Sequence, residues 1–420
     1  MSDRDPPGRQ EVELLFEELL RGSCPRFEPT GGPTDEEERS VRRWLITVIA
    51  VLSLVAAACG GEEVAGEAAE ASGQGTETEA VAAPASVYQG PCEVVREEGE
   101  SIDDYIARLY EAAQEEGKAV YYTPANENEV EWFQEYWAEK FPEVELEVVA
   151  APTDTILQRA LVEGRSGNVQ ADGYQGSSSE MVVLEDEGLL EMYRPANEKF
   201  VDPTIIFPDR PFINTFALTF HAAYNTNSVD PAELPTDWFG FTEPRWRGEI
   251  AMDLNAVEWV AGLIEGLGKE QATELLRGLV ANDLRLVEGT TLRTELLSAG
   301  EFDVMLDGYG HSLKEFIDAG APIAVMDPHP EPLTQVVSFM GVMEGAPHPC
   351  AALLLAEFVL SKEGQQVYAN RNKMGARTED ADIPHPYPSF FGGVTPTTLG
   401  PDVNYEEARR VLEEIVVRGG

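Results

Sequence analysis

Histidine and cysteine are scarce in this chain of 420 residues, which holds five of the first and four of the second. Cys24, Cys59, Cys92 and Cys350 include no C-x-x-C pair, so a zinc ribbon is excluded. Four cysteines over this length are also too few for a disulfide scaffold. No histidine among His221, His311, His329, His348 and His385 has a second histidine or a cysteine at metal-ligand spacing. Positive charge is scarce as well: 30 Lys and Arg stand against 76 Asp and Glu, a net charge of -46. A chain this acidic does not wrap nucleic acid phosphates or adhere to anionic lipid by charge. There is no phosphate loop, no H-E-x-x-H, no G-x-S-x-G elbow and no dinucleotide G-x-G-x-x-G after a strand. The sequence therefore predicts neither an enzyme nor a cofactor, and no internal repeat is present.

What is present begins with an address. Arg42 and Arg43 precede an uncharged apolar run from Trp44 to Ala58, which has 15 residues. A bilayer-spanning helix needs roughly 20. Charged start, apolar middle and small residues at the end make a secretory signal at 41–58. Its junction, Ala57-Ala58-Cys59-Gly60, resembles that of a bacterial lipoprotein, with Cys59 as the lipidated residue. Ala56 stands where such signals usually carry leucine. Forty residues precede the signal, and the expectation is that translation starts at Val41, leaving 1–40 as an extension outside the protein proper. From Gly60 to about Ser86 the chain is rich in Ala, Gly, Glu and Thr and has no aromatic residue. Such a segment cannot bury enough apolar surface to fold. Residues 59–100 thus read as lipidated cysteine plus flexible tether. An exported location permits a disulfide, and Cys92 and Cys350 are the two candidates.

Beyond residue 100, helix and strand patterns alternate. Ser101 opens a helix that Gly117 closes. Residues 119–122 read as a buried strand, 127–140 as a helix and 144–148 as an alternating strand. A helix at 155–163, a strand near 171–174 and a long β-prone run at 212–224 follow. Helices are expected at 257–267, 269–281, 291–299, 312–319, 350–360 and 405–417, and strands at 284–288, 303–306 and 336–342. The rhythm predicts an α/β fold with helices on both sheet faces. Trp259 is expected in a helix-face core. His329, His348 and His385 each precede a proline and are expected on surface loops.

Several stretches carry a family resemblance: EGKAVYYT at 116–123, QAD at 170–172, AYNTN at 223–227, EPRWRGEIAM at 243–252, LSAGE at 297–301, EGAPHP at 344–349 and FVLSKEGQ at 358–365. In order and spacing the chain resembles bacterial extracellular solute-binding proteins, the capture subunits of ATP-driven importers. The branch is the one that contains the ferric-iron-binding proteins. The resemblance implies a two-lobed periplasmic-binding-protein fold of type II, two α/β lobes joined by crossing strands. Carried onto this chain, lobe one holds 101–220 and 336–385, and lobe two holds 221–335 and 386–420. The crossings fall near 221–226 and 335–339, with His221 as a hinge residue. The implied partners are a small-molecule solute, an ABC importer permease and the membrane through the lipid anchor. The protein is expected to act as a monomer, without nucleic acid, on the extracellular face of the membrane.

Ligands of open α/β sheets bind beyond the carboxyl ends of strands, beside helix N-termini. Strand ends nominate Thr123 with Asn126, Ser177 with Ser178, Asn255, Thr290 with Thr291, and Tyr309. Hydroxyl and amide groups suit a polar organic or anionic solute, although Ser, Thr and Asn also cap helices. Iron-binding relatives use adjacent tyrosines after the corresponding strand, a histidine and an acid. Here those positions hold Tyr309-Gly310, Ala125 or Asn126, and Ser177. The expectation is no ferric site and no metal. Asp307, Tyr309 and Glu258 remain the one route to a cation or polyamine receptor. A sensory or presenting lipoprotein without transport is the reading from a different class.

Overall fold

The computed structural model describes residues 88–377 and 385–419. The extension at 1–40, the signal at 41–58, Cys59 and the tether up to residue 87 lie outside the described residues.

Helix α1 (Ile102–Glu116) starts on Ser101, whose side chain accepts the Asp104 N–H, and ends at Gly117, φ 79°. Positive φ costs a residue without Cβ little, so glycine stops the helix there. Strand β1 (Lys118–Thr123) is buried along nearly its whole length. Helix α2 (Glu127–Lys140) opens with a reciprocal capping box between Asn126 and Glu129 and buries Phe133 and Trp137. Then come β2 (Glu145–Ala150), α3 (Thr153–Ser166), β3 (Gly173–Ser177), α4 (Ser178–Asp186) and β4 (Leu190–Glu191). The long strand β5 (Ile213–Asn225) is followed by β6 (Ile250–Met252), α5 (Val257–Leu267), α6 (Lys269–Ala281), β7 (Arg285–Leu286) and α7 (Thr290–Ala299). Next are β8 (Val304–Tyr309), α8 (Gly310–Asp318), β9 (Ile323–Val325) and β10 (Thr334–Met343). The described chain ends with α9 (Pro349–Val359), α10 (Lys362–Ala369), β11 (Met374–Gly375), β12 (Thr397–Leu399) and α11 (Tyr405–Val411).

Strand β1 lies parallel to both β2 and β3. Strand β10 runs antiparallel to β3 and to β5. The first half of β5 pairs with β10; its second half, from Phe220, pairs antiparallel with β8 and β9. Strand β6 is parallel to β7 and β8. One strand thus belongs to two sheets, and the apolar core divides along it. Phe216 and Ala217 join a core with β1, β3 and α9, whereas Phe220 joins a core with α5, α6 and Leu399. On β10 the same division separates Val336 from Val337. Tyr387 packs in the first core, and Ala408, Val411 and Leu412 in the second.

Cys92 and Cys350 are joined by a disulfide, with their Cα atoms 5.0 Å apart. Helix α9 has no side-chain cap of its own among the described residues. Glu116, at the end of α1, supplies one: its carboxylate accepts the Cys350 and Ala351 N–H groups at 3.0 and 2.8 Å.

Several details differ from the sequence expectation. Helices α4 and α10 were not expected. In α4 the apolar residues Met181, Val182, Val183 and Leu184 are consecutive, so no helical period shows. Strand β3 begins two residues later than expected, and β7 is only two residues long. The last helix changes at Leu412 into a π-helical turn, Leu412–Val417. His329 is not on the surface. It is 3% exposed, its Nε2 accepts the Ala222 N–H at 3.1 Å, and its ring lies 5.5 Å from that of Trp238. Burial of the loop it sits on overrides the proline signal. His348 is half-buried, with Nδ1 2.9 Å from the buried carboxylate of Asp172; His385 is exposed. Trp259 is fully buried against Trp238.

Candidate functional site

The carboxyl ends of β6, β7 and β8 open onto one cavity of about 360 Å³. Asp253 and Asn255 follow β6, Glu288 and Gly289 follow β7, and Asp307 and Tyr309 end β8. Ala256 and Glu258 come from the start of α5, Thr290 and Arg293 from α7, and Phe220 from β5. Short parallel strands, each followed by a helix, bring these residues together: the side chain that follows a strand lies where the next helix begins.

Arg293 organises the cavity. It is 1% exposed, and each of its three nitrogens donates to the protein. Nη1 donates to Asp253 Oδ2 and to the Val287 carbonyl, the latter at 3.0 Å. Nη2 donates to the Asp307 carbonyl at 3.3 Å and pairs with its Oδ1 at 3.3 Å. Nε points at the Met305 sulfur, 3.3 Å away. Asp307, also 1% exposed, accepts the Asp253 N–H at 3.0 Å. Burial raises the Asp307 carboxyl above its ordinary range, and Arg293 opposes the rise. Asp253 in turn accepts the Asn255 and Gly289 N–H groups at 2.8 and 3.1 Å.

Tyr309 donates its hydroxyl to Glu258 Oε2 at 3.2 Å, and its ring lies 4.5 Å from that of Phe220. Burial pushes the Tyr309 phenol well up, and the Glu258 charge adds to the rise. Burial also raises the Glu258 carboxyl.

Of the residues nominated by strand ends, Asn255, Thr290 and Tyr309 line this cavity. Thr291 is exposed beside it without lining it. Thr123 is fully buried; its hydroxyl donates to Gln175 Oε1 at 2.6 Å and accepts the Ala125 N–H. Asn126 is the exposed N-cap of α2. Ser177 is the N-cap of α4, and its N–H donates to Glu180 Oε2 at 2.7 Å. Ser178 is buried and lies against Tyr405 of α11.

The β3–α4 corner also holds two orphaned polar atoms. Tyr174 Oη and Glu180 Oε1 are buried without a hydrogen-bond partner among the described residues. Burial pushes the Glu180 carboxyl up to about 7, and the Glu258 charge contributes to the rise. The Glu258 charge also raises Tyr405, whose main cause is burial. Asp253, Glu288, Arg293, Phe220 and Glu180 were not singled out from sequence. Asp253 directly follows the E-I-A-M stretch, but a three-residue strand gives no period by which to recognise its end. Among the described residues, no three His, Cys, Asp or Glu side chains are placed to hold a metal ion together.

Comparison with known proteins places this architecture. Residues 183–390 match the bacterial extracellular solute-binding protein family. Over 163 residues the chain is 31% identical to iron uptake protein A1 of Synechocystis, covering 36% of this chain and 45% of that protein. The chain thus matches over less than half the length of that relative. Among solved structures, iron-bound HitA of Pseudomonas aeruginosa superposes with a TM-score of 0.61 at 20% identity, over 71% of this chain and 99% of the other. AfuA of Actinobacillus pleuropneumoniae, with fructose-6-phosphate bound, gives 0.55 at 19% identity, over 72% and 98%. The fold is that of the periplasmic binding proteins, α/β sheets flanked by helices.

Proposed function

We propose that this protein is the solute receptor of an ATP-driven importer, a binding protein rather than an enzyme. It captures a small solute between two lobes and delivers it to a membrane permease. The observation that carries this reading is the placing of the cavity. Its residues stand at the ends of β6, β7 and β8, and Phe220 comes from β5, the strand shared by both sheets. A solute held there touches the element about which lobes of this kind close. The lobes are taken as 101–220 with 336–385 and 221–335 with 386–420. His221 sits in β5 at the crossing, fully buried. The matched family is extracellular, which supports a location outside the cytoplasm. Lipid attachment at Cys59 supplies the anchor in this reading, and the Cys92–Cys350 bond ties the end of the tether to the body.

The relatives' names favour ferric iron as a second reading, with Tyr309 and Glu258 as oxygen donors. Titration with ferric citrate tests it through a tyrosinate-to-iron absorption band.

A thermal-shift screen of small solutes tests the main reading. At least one solute raises the melting temperature at a concentration well above its dissociation constant. If none stabilises the protein, the receptor reading fails.

A further inference from the structure

We infer that the solute is an organic cation, an amine or ammonium compound, held by Glu258 and Glu288 with the Phe220–Tyr309 ring pair. This rests on the receptor reading and names its substrate class.

The charge balance of the cavity decides between a cation and an anion. Four carboxylates line it, from Asp253, Glu258, Glu288 and Asp307, against the single guanidinium of Arg293. Arg293 offers little to an incoming anion, because it is 1% exposed and all three of its nitrogens already donate to the protein. Asp253 and Asp307 are likewise spent on Arg293 and on backbone N–H groups. Helices α5, α7 and α8 begin here, and none has a side-chain cap bond among the described residues. Their dipoles pull the other way, toward an anion, with about half a positive charge each. Three such ends bring about 1.5 charges, against an excess of three negative ones. Asp253 also occupies the Gly289 N–H at the start of α7. The carboxylates win.

The β3–α4 corner adds a second observation. Glu180 is 5% exposed, and its Oε1 has no partner among the described residues. It shares the field of Glu258. An orphaned acceptor buried in a negative environment is a place for a donor to arrive, because leaving it unpaired costs free energy. Tyr174 Oη is orphaned beside it. A primary amine brings three N–H donors and a positive charge to carboxylates. Phe220 and Tyr309 both line the cavity, and aromatic rings attract an alkylammonium group through cation–π attraction. A cavity of about 360 Å³ accommodates a small organic molecule.

Titration calorimetry on the protein with 1,4-diaminobutane, choline and arginine, beside phosphate, fructose 6-phosphate and ferric citrate, tests the assignment. One amine is expected to bind once per chain, and more weakly as salt is added. Glu258→Gln is expected to weaken it roughly tenfold or more. Glu288→Gln, at an exposed position that the fold does not depend on, is expected to weaken it severalfold and guards against a misfolded first variant. Binding of phosphate, the sugar phosphate or ferric ion in place of every amine would overturn the cation assignment and leave the receptor standing. The same holds if an amine binds with unchanged affinity in both variants. Heat with none of the six probes would overturn both.

Discussion

The hydroxyl of Tyr309, at the end of β8, donates to Glu258 Oε2 in the first turn of α5 at 3.2 Å. A strand end and a helix start are thereby locked together at the mouth of one cavity. The Tyr309 ring lies 4.5 Å from that of Phe220.

Tyr309→Phe removes this donor and keeps the ring. The Glu258 carboxylate is then free to turn away from the solute. Affinity for the stabilising solute should fall about tenfold, the worth of one hydrogen bond to a charged group. The melting temperature without solute should change little. Calorimetry on both proteins checks the pair of outcomes.

Glu357 anchors the first core from within α9. It is fully buried, and its carboxylate accepts four hydrogen bonds: Tyr193 Oη at 2.8 Å, Ala196 N at 2.6 Å, and Asn197 N and Nδ2 at 3.0 Å each. Glu357→Ala leaves the Ala196 and Asn197 backbone N–H groups without their acceptor, while Tyr193 keeps Tyr105 and Asn197 Nδ2 keeps the residue 357 carbonyl, and it opens a cavity. We expect a loss of about 3–5 kcal/mol by urea unfolding. A loss below about 1 kcal/mol would mean that water replaces the carboxylate at no cost.

The disulfide joins residues 258 positions apart. Loop-closure entropy in the unfolded chain predicts a stabilisation of about 2–5 kcal/mol. Reducing the protein, or replacing both cysteines with serine, should lower the denaturation midpoint accordingly. Solute affinity should be retained, since neither cysteine lines the cavity.

Burial lowers the pKa of His329 to about 4, against about 6.5 in an unfolded chain. A base held neutral stabilises the fold fully above pH 6.5, and that contribution is lost as pH falls toward 4. The full effect is about 3 kcal/mol. Burial also holds His221 well below its ordinary range, which acts in the same direction. Glu180, raised to about 7, acts oppositely: its protonation favours the fold as pH falls from 7 toward 4.5. The test is therefore a difference between wild type and His329→Gln. Urea midpoints at pH 7, 5.5 and 4 should fall less steeply in the variant.

Most of the fold was legible because its helices announce their ends. Helices α5 and α6 follow the apolar period over 257–267 and 269–281, with Gly268 between them. Ser101 reads as a cap and is one, whereas Asn126, nominated as a ligand contact, caps α2. The site was less legible. Strand ends lead to Asn255, Thr290 and Tyr309, but Asp253 and Glu288, two of the four carboxylates that line the cavity, lie one and two residues past β6 and β7, strands of three and two residues. Such strands are too short to show a period. Arg293 reads as one more helix-surface arginine. Its burial depends on Asp253 and Asp307, 40 and 14 residues away, converging on it. His329 escaped for the same reason, because proline marks a loop but not whether the loop is covered.

The central claim is capture of a solute between two lobes about β5. Small-angle X-ray scattering of the protein, with and without the solute that most raises its melting temperature, tests it most directly. The account predicts a smaller radius of gyration at saturation, and in Glu258→Gln the change should need a roughly tenfold higher solute concentration or more. An unchanged radius with the site demonstrably full would contradict it.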